Sequence, residues 1–126
     1  MNNEKFSIIN RLKSFKYAFQ GLRLFFFNDH NGRVHFFASV IAIGLSFYLK
    51  LSALEWISIL GVISAVIVAE ILNAAIEKLA DVVSPGFHPK IKIVKDLAAA
   101  AVLVAAGLAL VVGAIIFIPK LLFLQR

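Results

Sequence analysis

Cysteine is absent from the 126 residues, which excludes disulfides, thiolate metal sites and a cysteine nucleophile. Any metal must therefore be held by oxygen or histidine. Charge is also sparse: 16% of residues are charged against 61% hydrophobic, with mean hydropathy +0.92. Whole segments are apolar on every side rather than striped, which identifies a membrane protein rather than a soluble domain. No glycine-rich phosphate loop occurs, because Gly32, Gly61 and Gly86 are isolated and nothing matches GxxxxGK[ST], so a nucleotide site would not be a P-loop. No internal repeat stands out, and an inverted-repeat transporter is not supported. The opening Met1 to Lys16 mixes charged and apolar residues and shows no small-residue cleavage site, so the chain is expected to stay whole.

What charge there is leans basic, with 13 Lys and Arg against 7 Asp and Glu, a net +6. The basic residues flank the apolar segments, which points to anionic lipid headgroups rather than nucleic acid. From Glu4 to Phe27, Phe6, Ile9, Leu12, Phe15, Phe19, Leu22 and Phe26 recur at three- and four-residue steps between lysines and arginines. That pattern predicts an amphipathic interfacial helix over 4–28. The turn formers Asn28-Asp29-His30-Asn31-Gly32 should end or bend it.

A first spanning helix is expected over about 34–53, with Lys50 snorkelling, and a second over about 54–83. Ser84-Pro85-Gly86-Phe87-His88-Pro89 is a helix stop. A third span is expected over about 96–119, its alanine-rich opening and Gly107 offering a small-residue surface for close helix packing. The fold class is thus all-α integral membrane, one domain, three transmembrane helices plus a surface helix. Lys and Arg crowd the N-terminal segment and the loop between the second and third spans, so both are expected on the cytoplasmic side.

Within the apolar second span lies Glu70-Ile71-Leu72-Asn73-Ala74-Ala75-Ile76-Glu77. Glu70, Asn73 and Glu77 stand at i, i+3 and i+7 on one helix face, and Asp81 extends the line. A carboxylate at the bilayer centre costs roughly 2.5–3.5 kcal/mol on insertion scales, so it marks a functional site by default. Asn73 alone could be an interhelical hydrogen bond. Two acids must be paired, protonated or metal-bound. The deeper Glu70 suits a general base toward a substrate hydroxyl, and the shallower Glu77 suits a hard cation such as Mg²⁺, with Asp29 a second ligand. Lys95 could neutralise phosphate charge. Asp96 also reads as a helix-capping acid, and His35 and His88 are ambiguous, a lone interfacial histidine being more often a solvated polar contact than a ligand or catalyst.

These residues resemble the prokaryotic diacylglycerol kinase family, which includes diacylglycerol kinases and undecaprenol kinases. The run Glu70 to Glu77 followed by Asp81, His88 and Lys95-Asp96 is similar to the family signature. Tyr17, Gly21, Leu22, Arg23, Asn28 and Arg33-Val34-His35 resemble its N-terminal segment. The resemblance implies a homotrimer in the bacterial inner membrane that transfers the ATP γ-phosphate to a lipid alcohol, diacylglycerol or undecaprenol, with Mg²⁺ as MgATP. It implies Glu70 as catalytic base and Asn73 as an orienting group. Glu77 and Asp29 would bind metal and nucleotide, and Tyr17, Gly86, His88, Lys95 and Asp96 would contact nucleotide. Glu70, Arg23 and Ala99 would meet the lipid. Two positions depart from the pattern: Asp29 stands where Glu is common, and Asn10, with Arg11 beside it, stands where some members carry an ATP-contacting Arg. The alternatives are a small proton-coupled transporter using Glu70, or a structural subunit that would leave both glutamates unexplained.

Overall fold

The computed structural model describes residues 7–124. Glu4, Lys5 and Phe6, counted above in the first helix, and Arg126 lie outside them. The described residues form four helices: α1 (Ile8–Asn28), α2 (His30–Tyr48), α3 (Ala53–Val83) and α4 (Pro89–Leu124). By length and composition, α3 and α4 are long and apolar enough to cross a membrane.

Each junction has a local cause. Asp29 is extended (φ −96°, ψ 131°) and its carboxylate accepts the Gly32 amide at 3.1 Å, capping α2. The second helix therefore begins at His30 rather than near residue 34. Gly32 is required here: a Cβ would stand 1.8 Å from the Phe25 carbonyl oxygen, so α1 and α2 approach closely only because this residue lacks a side chain. Phe25, Phe26, Phe36 and Phe37 continue the corner as successive edge-to-face rings with centroids 5.2, 5.6 and 5.7 Å apart.

At its other end α2 stops at Tyr48, short of the expected residue 53, because Lys50 takes a left-handed conformation (φ 53°) that a helix cannot accommodate. Ser52 and Glu55 then form a capping box that starts α3. The last helix begins at Pro89 rather than residue 96. Proline lacks only a donor that a first-turn residue does not use, and the His88 Nδ1 accepts the Lys90 amide at 3.1 Å. Pro119 does not end α4, which continues to Leu124. Asp96, now in the helix interior, is not a capping residue.

The principal packing is α3 on α4, with α2 on α3 and α1 on α2. Two ion pairs bracket the long pair and fix it antiparallel: Glu55 with Lys120 at 3.2 Å and Asp81 with Lys95 at 2.9 Å. They are separated by about 39 Å along α3 at 1.5 Å per residue, which matches a hydrocarbon core plus part of each headgroup layer. Ile59, Val62, Val66, Glu70, Asn73 and Ala80 are the buried residues of α3. Their spacing of three, four or seven makes one stripe, so Glu70 and Asn73 face the packed interior rather than the outside. Along α1 only Phe25 is buried, and Ile8, Ile9, Leu12, Phe15 and Phe19 remain exposed.

The Gly32 contact predicts that Gly32→Ala lowers the thermal midpoint in detergent, while Gly44→Ala, where nothing lies within 4 Å of a new Cβ, does not. Equal midpoints for the two variants would contradict the close approach of α1 and α2.

Candidate active site

Glu70 is the only acidic side chain buried among the described residues, with 7% of the residue exposed. Its Oε1 lies 2.9 Å from Nε2 of His35, one helix away on α2. This pair answers the requirement that a buried carboxylate find a partner. It also decides the ambiguity of His35 against a solvated contact, since only 24% of its side chain is exposed. One turn along α3, Asn73 is buried with its Oδ1 lacking any hydrogen-bond partner. The site therefore joins a paired carboxylate to an acceptor with spare capacity.

From this pair an apolar groove of about 350 Å³ opens between α2, α3 and α4. His35 and Ser39 stand on its wall with Ala42, Val66, Ala109 and Phe117. A second cavity, about 450 Å³, lies between α1 and α3 and brings Asn28 and Asp29 beside Lys78. Asp29 is half-buried and already uses one oxygen in capping α2.

Glu77 shares a helix face with Glu70 by sequence but is exposed and, among the described residues, makes no ion pair. The cost of burial thus falls on Glu70, and Glu77 is left free for a ligand. Lys95 reaches across to Asp81, and Asp96 pairs with Lys92 at 2.6 Å. Gly86 and His88 are exposed in the loop that joins α3 to α4, and Ala99 is exposed on α4. Tyr17 and Asn10 are exposed on α1, where the Asn10 carbonyl accepts the Ser14 hydroxyl at 3.0 Å. Arg23 lines a hollow on α1 itself, with Gln20, Leu24 and Asn28, and is not brought to Glu70 within this chain.

An all-helical membrane protein with a buried carboxylate paired to a histidine that lines an apolar groove is the class that this geometry defines. The family model for prokaryotic diacylglycerol kinase matches residues 16–117. A diacylglycerol kinase of Synechocystis sp. is 39% identical over 118 residues, spanning 92% of this chain and 67% of the relative. An undecaprenol kinase of Bacillus subtilis is 36% identical over 114 residues, 90% and 93% of the two chains. A diacylglycerol kinase of Escherichia coli is 28% identical over 116 residues, 92% and 95%. The chain belongs to the prokaryotic diacylglycerol kinase family. As such it is an enzyme, an ATP-dependent lipid kinase.

Asp81 and Lys95 are both well exposed, at 69% and 40% of their side chains, so their pairing is worth no more than about 1 kcal/mol. A double-mutant cycle with Asp81→Asn and Lys95→Met, read by denaturation in detergent, is expected to give a coupling below that value. A larger coupling would make Lys95 a structural residue rather than one available to a ligand.

Proposed function

We propose that this chain transfers the γ-phosphate of ATP to the hydroxyl of a membrane lipid alcohol, diacylglycerol or undecaprenol, with Glu70 as the general base. The observation that carries this reading is the burial of Glu70 against His35, which lines the end of an apolar groove. A hydrocarbon tail is at home in such a groove and a hydroxyl at its polar end. The transporter alternative has no support from the family to which the chain belongs.

In the reaction the alcohol proton passes to Glu70 as the alcohol oxygen bonds to the γ-phosphorus. The bond to the β–γ bridging oxygen breaks, and its electron pair leaves with ADP. Phosphoryl transfer depends on in-line positioning and charge neutralisation more than on covalent help from the protein. Asn73, with its unused Oδ1 one turn from Glu70, is suited to orient the hydroxyl. Lys95 would exchange Asp81 for phosphate, with Gly86, His88, Asp96 and Tyr17 around the nucleotide, while Arg23 and Ala99 meet the lipid.

Glu77 and the second oxygen of Asp29 are hard donors that fit Mg²⁺, which keeps water and phosphate as its remaining ligands. Among the described residues no three His, Cys, Asp or Glu groups are gathered. Bound there, the ion would neutralise phosphate charge.

The same reading makes α2 a third span, α1 a surface helix on the cytoplasmic face of the bacterial inner membrane, and the active form a homotrimer. The long exposed apolar faces of α1 and α4 support burial in lipid or against other copies.

The experiment is phosphorylation of a panel of diacylglycerols and polyprenols in bilayers with MgATP. Glu70→Gln is expected to lower kcat by about 10²–10⁴-fold, the range for loss of a general base. Full activity of that variant would refute the mechanism. Glu77→Gln should raise the Mg²⁺ concentration needed for half-maximal rate and leave the KM for lipid unchanged, and an unchanged Mg²⁺ dependence would remove it from the metal site.

A further inference from the structure

The role of His35 goes beyond pairing a costly charge. With Glu70 ionised, both of its oxygens can only accept, so the Nε2 of His35 carries the proton and donates to Oε1 at 2.9 Å. Among the described residues Oε2 receives no hydrogen bond. The two oxygens are therefore made unequal: one is held by α2 and the other is left for a substrate. His35 also stands on the wall of the apolar groove, so the residue that holds the carboxylate is where the groove reaches it. Its own backbone is anchored inside a helix, where the His35 carbonyl accepts the Ser39 hydroxyl at 2.7 Å.

We infer that His35 is a positioning residue for the phosphoryl transfer: its hydrogen bond to Oε1 fixes the rotamer of Glu70 so that Oε2 meets the acceptor hydroxyl. The inference rests on Glu70 acting as the base. In the step, the acceptor O–H bond breaks and an H–Oε2 bond forms, while the oxygen's lone pair makes the new bond to the γ-phosphorus and ADP leaves with the electron pair of the broken one. His35 exchanges no proton with the substrate in this scheme and holds Oε1 throughout. A histidine that merely tied α2 to α3 would reveal itself in stability. A positioning histidine reveals itself in kcat.

The test compares wild type, His35→Ala, His35→Gln and Glu70→Gln in bilayers, measuring kcat, the KM for lipid and for MgATP, and the thermal midpoint. His35→Ala is expected to lower kcat by about a hundredfold, the scale of loss when a reacting group is misplaced by about 1 Å, with both KM values within about threefold of wild type. Gln retains an N–H donor on a side chain of comparable reach. His35→Gln is expected to regain about tenfold of the loss, as one hydrogen bond to a charged group supplies. Three results would overturn the inference: wild-type kcat in His35→Ala, a loss confined to the KM for lipid, or His35→Gln no better than His35→Ala when its thermal midpoint equals that of wild type. Failure of the underlying reading looks different, since Glu70→Gln would then stay active whatever His35 does.

Discussion

A carboxylate in an apolar interior must be paired, and in this protein the pairing of Glu70 with His35 decides where everything else stands. The bond joins α2 to α3 where Glu70 is buried and His35 half-buried. It places the polar end of the groove, and it turns the buried stripe of α3 from packing surface into site at Glu70 and Asn73. His35 can serve only because α2 starts where it does. Asp29 caps the helix at His30, and the missing side chain of Gly32 lets α1 fold back against it, so His35 sits inside a formed helix rather than in a fraying turn.

Charge at two levels frames this centre. Glu55–Lys120 and Asp81–Lys95 hold the α3–α4 pair at its two ends, and among the described residues the only buried charged group is Glu70, between them. The exposed Asp81–Lys95 pair adds little stability, and Glu55–Lys120 is half-buried; the geometric consequence of the two is larger, since they fix which segments lie at the same depth. The Asp81–Lys95 end is also the end of the α3–α4 loop, with Gly86 and His88, and of the exposed Glu77. Groups fit for phosphate and metal thus lie toward one end, and the apolar groove runs away from them, from the middle of the helix pair toward the Glu55–Lys120 end. A kinase whose two substrates differ so widely in polarity requires that separation.

How much of this could be read from residues alone follows from the physics of each signal. Glu70 announces itself because charge in an apolar helix is costly whatever surrounds it, and the turn at Asp29 is legible because Asn, Asp and Gly cluster there. His35 carries no such mark: its partner lies 35 positions away, and a lone histidine near a helix start is ordinarily a solvated residue. Helix ends were less legible than helix existence. Lys50 stops α2 through a left-handed backbone that no lysine advertises, while Pro89, a stop signal in isolation, opens α4 because proline is tolerated in a first turn. The residues alone separate Glu70 from Glu77 only by depth along the helix, and that one is buried and the other exposed is a difference created by packing against the neighbouring helices.

The central claim is that Glu70 and His35 of one chain are hydrogen-bonded within the membrane, and solid-state NMR of ¹⁵N,¹³C-labelled protein in lipid bilayers tests it most directly. The account predicts a strong dipolar contact between His35 Nε2 and Glu70 Cδ, 2.9 Å separating Nε2 from Oε1, with Nε2 rather than Nδ1 carrying the hydrogen-bonded proton, as an ionised carboxylate that can only accept requires. Absence of that contact, with the Glu70 carboxylate instead correlated to water or to another cation, would contradict it.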